Sequence, residues 1–270
     1  MKVFLEDVTD GQENVKISFA NEINFNRIPS FIDYTPNCIL TSGTLAQDYE
    51  SIPFPCKCKC QCQPLTCSCI VDSNIFYANG LLPEYCFKTT TKPIIECSSL
   101  CTCDQSCPNR LIQQGIKFSL QIFMTESKGF GVRTLEFIPK LSYVCEYAGE
   151  IIDASEMQHR MNERSCDDSN YIYVLKEYAS ESRLCTIIDP TEVGNVGRYL
   201  NHSCNPNLVS VPIRANSMIP RICFFAKEDI LPLQELTYNY SGEFAEKESS
   251  FSSAEVNAST DGRQKCYCYS

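Results

Sequence analysis

Short apolar segments separated by turn residues dominate the chain from about residue 118 onward. Segments of this kind that are rich in β-branched and aromatic residues predict strands, and they cover 141–152, 170–178, 183–189, 221–226 and 235–240. One helix is predicted over 154–164, because Asp153 suits the N-cap position and Glu156 can complete a capping box. The pattern therefore predicts a mainly β, α+β domain.

The regions on either side of these strands carry weaker signals. Residues 1 to about 50 show no recognisable motif, and residues 243–265 are charged, serine-rich and poor in bulky apolar groups, which predicts a linker. No apolar stretch approaches the ~20 residues of a membrane span, and the N-terminus lacks the apolar region of a signal peptide. We expect an intracellular protein without membrane association.

Cysteine changes this picture, since the chain contains 19 of them. Two tight runs stand out: Cys56, Cys58, Cys60, Cys62, Cys67 and Cys69, then Cys97, Cys101, Cys103 and Cys107. A disulfide framework and metal binding are the two explanations. Disulfides need defined pairwise geometry that such crowding hardly permits, whereas thiolates can be shared between zinc ions. Metal binding is the preferred interpretation, and zinc analysis would exclude a secreted disulfide protein.

Nine cysteines, of which three bridge, supply the twelve ligand positions of three tetrahedral zinc ions. The predicted ligands are Cys56, Cys58, Cys62, Cys67, Cys69, Cys97, Cys101, Cys103 and Cys107. Cys60 and Cys86 are then spare, although Cys60 lies between good candidates and the spare member of the first run stays open. A small, loop-rich segment needs such metal to fold, so these ions would be structural. Cys145, Cys166, Cys185 and Cys223 have no partners by spacing and are predicted to be buried.

Three further motifs carry candidate chemistry. They are Lys128-Gly129-Phe130-Gly131, the N-H-S-C-x-P-N sequence over 201–207, and Glu-Leu-Thr-Tyr-Asn-Tyr over 235–240. The glycine motif lacks the third glycine and following helix of a dinucleotide fold. Only two histidines exist, His159 and His202, so the residues of a histidine-based hydrolase are hard to find.

In this order the motifs resemble the SET domain of protein lysine methyltransferases, over about 118–243. The five-plus-four cysteine pattern resembles their pre-SET domain, which holds a triangular three-zinc cluster. With RTLEFIPK, VCEYAGE, SNYI and GNVGRYLNHSC, residues 50–268 are similar to the SET portion of SETMAR-type enzymes. The resemblance implies the β-clip fold of short curled sheets with a knot-like C-terminal segment. Four regions are expected. Residues 1–50 form a segment that packs on the SET region, 51–113 form the pre-SET domain, 114–243 form the SET domain, and 244–270 form a linker and an incomplete post-SET segment.

Methyl transfer from S-adenosylmethionine fits the residue types. The lysine amine must be neutral, and deprotonating it near pH 7 costs about 4–5 kcal/mol. An apolar aromatic channel beside a bound cation lowers that cost. Tyrosines suit the channel because they offer a ring for the methylammonium and a hydroxyl for orientation.

The resemblance also implies roles for individual residues. Tyr240 would aim the amine, Tyr171 would line the channel and touch the cofactor, and Tyr147 would border the substrate. Tyr238 occupies the family's Phe/Tyr product switch, and its hydroxyl predicts transfer of one or two methyl groups. The residues implied to bind S-adenosylmethionine are Lys128, Gly129, Phe130, Tyr171, Arg198, Asn201 and His202. For Tyr147 and Arg198, ordinary packing is the alternative.

The post-SET segment departs from the family pattern. Cys204, Cys266 and Cys268 are present, but the fourth cysteine that would complete a fourth zinc site is absent before Ser270. Asn239 also replaces the usual aspartate. The alternative to an enzyme is therefore a catalytically silent SET module that binds a basic tail.

The formal net charge of −10 bears on partners. It disfavours direct nucleic-acid binding and either attracts a basic peptide or merely aids solubility. The family implies a histone tail or nucleosome as partner, with nuclear, chromatin localisation. We expect a monomer.

Overall fold

A computed structural model describes residues 3–24, 33–41, 50–87, 93–164, 170–179 and 182–240. Within these ranges the chain is built mainly from strands. They are β1 Val3–Leu5, β2 Ile17–Asn21, β3 Asp33–Tyr34, β4 Ile39–Leu40, β5 Ile94–Ile95, β6 Leu120–Met124, β7 Phe130–Thr134, β8 Tyr143–Glu146, β9 Gly149–Ile152, β10 Tyr173–Ala179, β11 Ser182–Gly194, β12 Asn201–His202, β13 Leu208–Arg214, β14 Arg221–Ala226 and β15 Glu235–Tyr238. Two α-helices accompany them, α1 Ser68–Ser73 and α2 Ala154–Glu163. Short 3₁₀ turns occupy Glu84–Phe87, Ile112–Gln114 and Val196–Tyr199.

Three small sheets form the fold. Their strand orders are β1-β2-β6-β7-β15-β12, β10-β11-β9-β4 with β3 paired to β11, and β5-β13-β14-β8. In the first sheet β2 pairs parallel to β6, with Ile17 opposite Leu120. The first residues of the chain, which carried no recognisable motif, therefore add strands to the sheet that also contains the glycine motif and β15.

Most predicted strands occur, with shifted ends. The segment 221–226 is β14 as predicted, whereas 141–152 divides into β8 and β9 around Tyr147 and Ala148. The last strand ends at Tyr238, so Tyr240 lies beyond it. Helix α2 begins where predicted, since the side chain of Asp153 accepts a 2.9 Å hydrogen bond from the N–H of Glu156. The Glu156 carboxylate accepts from Arg160 Nε at 2.7 Å.

The apolar side chains form two buried clusters. One lies between the sheets of β2, β6, β7, β8 and β14 and includes Ile17, Phe19 and Phe224. The other includes Tyr77, Ile94 and Phe225 and lies against β5 and β13. Each fully buried side chain of this size contributes about 1.5–3 kcal/mol to folding. No helix of the described residues is long and apolar enough to cross a membrane.

The cysteines outside the two runs do not all behave alike. Cys145 and Cys223 are fully buried, as predicted, and Cys38 is buried as well. The prediction is wrong for Cys185, which is exposed. It lies near the end of the β10–β11 hairpin, opposite Lys176. Cys166 lies outside the described residues.

Candidate active site and metal centre

The two cysteine runs meet in one compact cluster. Eight of its members are buried and Cys58 is half-buried; together they are Cys56, Cys58, Cys62, Cys67, Cys69, Cys97, Cys101, Cys103 and Cys107. Within it, three sets of four sulfurs lie within 4.8 Å of one another: Cys56-Cys67-Cys69-Cys97, Cys56-Cys62-Cys97-Cys103 and Cys56-Cys58-Cys62-Cys67. Cys56 belongs to all three sets, as expected for a ligand shared between metal ions.

The sulfur spacing fits tetrahedral zinc. The Sγ atoms of Cys56, Cys62 and Cys97 are 3.5, 3.6 and 3.9 Å apart, and those of Cys69 and Cys101 are 3.8 Å apart. Zinc–sulfur bonds of about 2.3 Å at tetrahedral angles place the sulfurs roughly 3.8 Å apart. The donor set can therefore hold metal ions.

A buried arginine supports thiolate character in this cluster. Arg110 is 2% exposed, and its guanidinium donates to Cys103 Sγ at 3.5 Å and to the carbonyls of Cys97 and Ser98. No carboxylate among the described residues pairs with it. A buried cation needs an opposite charge, which a thiolate at Cys103 would supply. Burial alone would raise the pKa of the Cys103 thiol, but the hydrogen bond from Arg110 lowers it below its ordinary value.

Cys60, Cys86 and Cys204 are not members of this cluster. Cys60 is exposed in the left-handed region at φ +60°, and Cys86 belongs to the second apolar cluster. Cys204 is exposed, with its Sγ 3.4 Å from Nε2 of His202. Cys266 and Cys268 lie outside the described residues.

A second feature is a contiguous set of aromatic rings, which we call the aromatic cluster: Tyr147, Tyr173, Phe224, Tyr238 and Tyr240. Its ring centroids are 5.4 Å apart for Tyr147–Tyr173, 6.4 Å for Tyr173–Tyr238, 4.7 Å for Phe224–Tyr238 and 4.8 Å for Tyr238–Tyr240. Tyr171 joins it through its carbonyl, which accepts a 2.5 Å hydrogen bond from Tyr147 Oη.

Two strand ends bring these side chains together. Tyr173 begins β10 and Tyr238 ends β15, and Tyr171 and Tyr240 lie two residues beyond these ends. Tyr147 follows β8, and Phe224 lies on its neighbour β14. Phe224 is fully buried, while Tyr240 is 48% exposed. The cluster therefore runs from the core to the surface.

The tyrosine hydroxyls are neutral at physiological pH. Burial raises the pKa of Tyr147 and Tyr238, and it raises that of Tyr240 to about 12. The Tyr240 hydroxyl donates to the carbonyl of Leu200 at 2.8 Å. The site thus offers ring faces and protonated hydroxyls, which suit an apolar chain ending in an amine.

The motifs implied to bind cofactor converge beside this cluster. The amide of Asn201 donates to the carbonyl of Phe130 at 3.1 Å and to Glu235 Oε1 at 2.9 Å. Lys128 Nζ lies 3.4 Å from the carbonyl of His202. Gly129 adopts φ +72° with open space at its α-carbon, a conformation that favours glycine.

Arg198 has a supporting position. It is 5% exposed, its guanidinium lies 4.1 Å from the ring centroid of Tyr171, and it donates to the carbonyls of Pro190 and Thr191. The ring of Tyr171 thereby gains a cation–π contact. Contact of Arg198 with a cofactor stays a prediction.

The sequence interpretation missed Tyr173 and Phe224. A signal existed for Tyr173, because it shares a face with Tyr171 in a predicted strand. Phe224 gave none, since every position of its strand from 222 to 226 is buried and periodicity cannot then show which side faces the site.

Comparisons with known proteins agree with this geometry. The SET domain family model matches residues 129–241 and the Pre-SET motif model matches residues 9–110. The latter extends over the segment that showed no recognisable motif. The chain is 42% identical over 267 residues to the histone-lysine N-methyltransferase SETMAR of Mus musculus, covering 97% of this chain and 85% of that protein.

Solved structures give the same result. The methyltransferase domain of human SETMAR superimposes with a TM-score of 0.77 at 41% identity, covering 89% of this chain and 86% of that one. Arabidopsis thaliana SUVH6 in complex with SAM gives 0.76 at 31% identity, over 97% and 53%. KRYPTONITE in complex with mCHH DNA, an H3(1–15) peptide and SAH gives 0.69 at 26% identity, over 98% and 52%.

Proposed function

The chain belongs to the SET-domain family of histone-lysine N-methyltransferases, and we propose that it transfers methyl groups from S-adenosylmethionine to a lysine side chain of a histone tail. The observation that carries this proposal is the aromatic cluster, whose neutral tyrosine hydroxyls border the strand of Asn201 and His202.

The cluster accounts for the demands of the reaction. The aliphatic stem of the lysine would lie between the rings of Tyr147, Tyr173 and Tyr238, and burial there favours the neutral amine over the ammonium ion. Bound S-adenosylmethionine supplies the methyl on a positively charged sulfur. The ring faces favour the cationic groups of donor and product, and Tyr240, fixed by Leu200, aims the amine.

The convergence of Lys128, Gly129 and Phe130 on Asn201 and His202 supports a cofactor site at this place. The open space at Gly129 lets a ligand approach the backbone. Burial and the nearby Lys128 lower the pKa of His202, which favours the neutral ring. Tyr171, held against Arg198, would border both cofactor and substrate.

The hydroxyl of Tyr238 supports a limited product degree. It makes no hydrogen bond within the described parts of the chain, although the residue is 6% exposed. A water bound there would occupy space that a second or third methyl group needs. We infer that the enzyme adds one or two methyl groups.

Zinc belongs to this proposal as a structural element. The nine clustered cysteines would hold three zinc ions, with thiolates shared between them. Cys204 would join Cys266 and Cys268 in a fourth site. A segment with this much irregular backbone depends on the metal for its folding.

The family supports a proposal for the substrate and its setting. KRYPTONITE was solved with a histone H3 peptide, and the net charge of −10 favours a lysine-rich tail. With a histone tail or nucleosome as substrate, the protein would act in the nucleus, on chromatin. We also propose four regions along the chain. They are an N-terminal segment packing on the SET region over 1–50, a pre-SET region over 51–113, the SET region over 114–243, and a linker with an incomplete post-SET segment over 244–270.

Transfer of labelled methyl groups from S-adenosylmethionine to core histones tests the function. Tyr240→Phe should reduce transfer at least about 100-fold, because the amine loses its orienting hydroxyl. Tyr143→Phe is the matched control, since Tyr143 is 5% exposed and packs on Phe225 away from the aromatic cluster. No transfer by the wild type, despite bound zinc and measurable cofactor binding, would indicate a silent module that binds a basic tail.

A further inference from the structure

We propose that Ser210 helps to set the number of methyl groups transferred, by holding the hydroxyl of Tyr173 away from the lysine channel; this inference rests on the proposed function. Ser210 and Tyr173 lie on different sheets, on β13 and β10. Neither residue belongs to one of the motifs identified in the sequence.

Tyr173 forms part of the wall of the aromatic cluster. Its ring lies between Tyr147, 5.4 Å away, and Tyr238, 6.4 Å away and inclined by only 28°. A lysine that runs along the rings of Tyr147 and Tyr238 would therefore contact this ring. The direction of the Tyr173 hydroxyl consequently affects the polarity and width of the channel.

Ser210 fixes that direction. The Tyr173 hydroxyl donates a 3.1 Å hydrogen bond to Ser210 Oγ. Ser210 is directly opposite Phe224 in the pairing of β13 with β14, so its side chain stands at the border of the cluster. The bond joins the two sheets that enclose the channel and leaves the ring of Tyr173, not its hydroxyl, facing Tyr238.

The other tyrosine hydroxyls show why this matters. Those of Tyr147 and Tyr240 are also bound, to the carbonyls of Tyr171 and Leu200. Among the residues that the structure describes, the hydroxyls of Tyr171 and Tyr238 have no such acceptor. A hydroxyl without a protein partner in a buried site recruits water or binds the amine. Each additional hydroxyl without a protein partner leaves less room for a methylated amine. Because Ser210 accepts the hydrogen bond from Tyr173, the Tyr173 hydroxyl is not a third hydroxyl of this kind.

Ser210→Ala removes the acceptor and leaves the Tyr173 ring in place. The freed hydroxyl then needs a water or the substrate amine as partner, and the more crowded channel disfavours a lysine that already carries a methyl group. We expect the rate on monomethyl-lysine, relative to unmethylated lysine, to fall at least threefold. Tyr173→Phe in the same background removes the freed hydroxyl and should restore the ratio.

The experiment compares initial rates on an H3(1–15) peptide and on its monomethylated form, with products counted by mass spectrometry. Wild type, Ser210→Ala and Ser210→Ala/Tyr173→Phe are measured in parallel. Ser18→Ala is the control, because Ser18 is 7% exposed and likewise accepts a side-chain hydrogen bond, from Gln121 at 3.0 Å, outside the cluster.

The outcomes separate the two proposals. A ratio that falls in Ser210→Ala, recovers in the double variant and is unchanged in Ser18→Ala supports the inference. An unchanged ratio, equal slowing on both peptides, failure to recover, or a wild type that accepts only the unmethylated peptide would overturn it. No methyl transfer by the wild type to any histone substrate would instead refute the proposed function, and this inference with it.

Discussion

The backbone N–H of Tyr240 donates a 3.2 Å hydrogen bond to Nδ1 of His202. Because Nδ1 accepts, the neutral ring carries its proton on Nε2, which lies toward Cys204. The Tyr240 hydroxyl binds the carbonyl of Leu200 in addition. Tyr240 is thus fixed at two points to the segment that begins the N-H-S-C motif, and the proposed cofactor and lysine sites share one support.

Tyr238→Phe should increase the number of methyl groups added. The substitution keeps the ring contacts with Phe224 and Tyr240 and removes a hydroxyl that has no partner among the described residues. Without that hydroxyl no water would be held there, and a more methylated amine would have room. Mass spectrometry of a modified H3(1–15) peptide should show a several-fold rise in the higher methyl states. A product distribution equal to that of the wild type would contradict the proposed role.

Cys56→Ser should reduce zinc binding, whereas Cys60→Ser should leave it unchanged. Cys56 contributes to all three sets of clustered sulfurs, whereas Cys60 is exposed and belongs to none. We expect about three zinc ions per chain in the wild type and in Cys60→Ser, by elemental analysis. Cys56→Ser should lose zinc and unfold at a lower temperature, because structural zinc contributes about 10–16 kcal/mol per site in small zinc domains. Equal zinc content in both variants would refute the assignment.

Arg164→Ala should destabilise the fold. The Arg164 guanidinium joins the fully buried Asp189 at 3.1 Å, Thr191 at 2.5 Å and Asn170 at 2.9 Å. Since Arg160 still pairs with Asp189 at 3.2 Å, we expect a loss of about 1–3 kcal/mol in the free energy of unfolding. Lys140→Ala breaks the exposed pair with Glu84 and should cost less than about 1 kcal/mol. Denaturant titration compares the two, and equal losses would refute the prediction.

Glu13→Gln should stabilise the protein at pH 8 but not below about pH 4. Burial raises the pKa of the Glu13 carboxyl, and the carboxylate of Glu146 adds to the rise, against a hydrogen bond from Tyr34 and the charge of Arg221. The raised pKa means that this group's contribution to stability is complete below its ordinary pKa and is lost as pH rises through the raised value.

Glutamine keeps an acceptor for Tyr34 and carries no charge at any pH. The melting temperature of the variant should therefore exceed that of the wild type by about 1–4 °C at pH 8 and equal it below about pH 4. Glu6→Gln is the control, since Glu6 is exposed and pairs with Lys16. A pH-independent difference for Glu13→Gln would show that charge is not the cause.

The sequence alone predicted the parts of the molecule that depend on local chemistry. Strands such as β14 and the start of α2 follow from residue type and capping, which act over a few neighbouring residues. The cysteine spacing indicated a shared metal cluster, because ligand crowding is visible in the chain itself. The fixed motifs gave the family, since their order and letters are specific.

Only the tertiary structure decided which residues surround the site. Tyr173 and Phe224 join Tyr147 and Tyr238 because β10 and β14 come from different sheets that meet there. The parallel pairing of β2 with β6 joins residues about 100 positions apart, and no local pattern encodes such a contact. Local propensity acts along the chain, whereas this site depends on packing between distant strands, and that is why its wall and the position of Ser210 appear only in the folded protein.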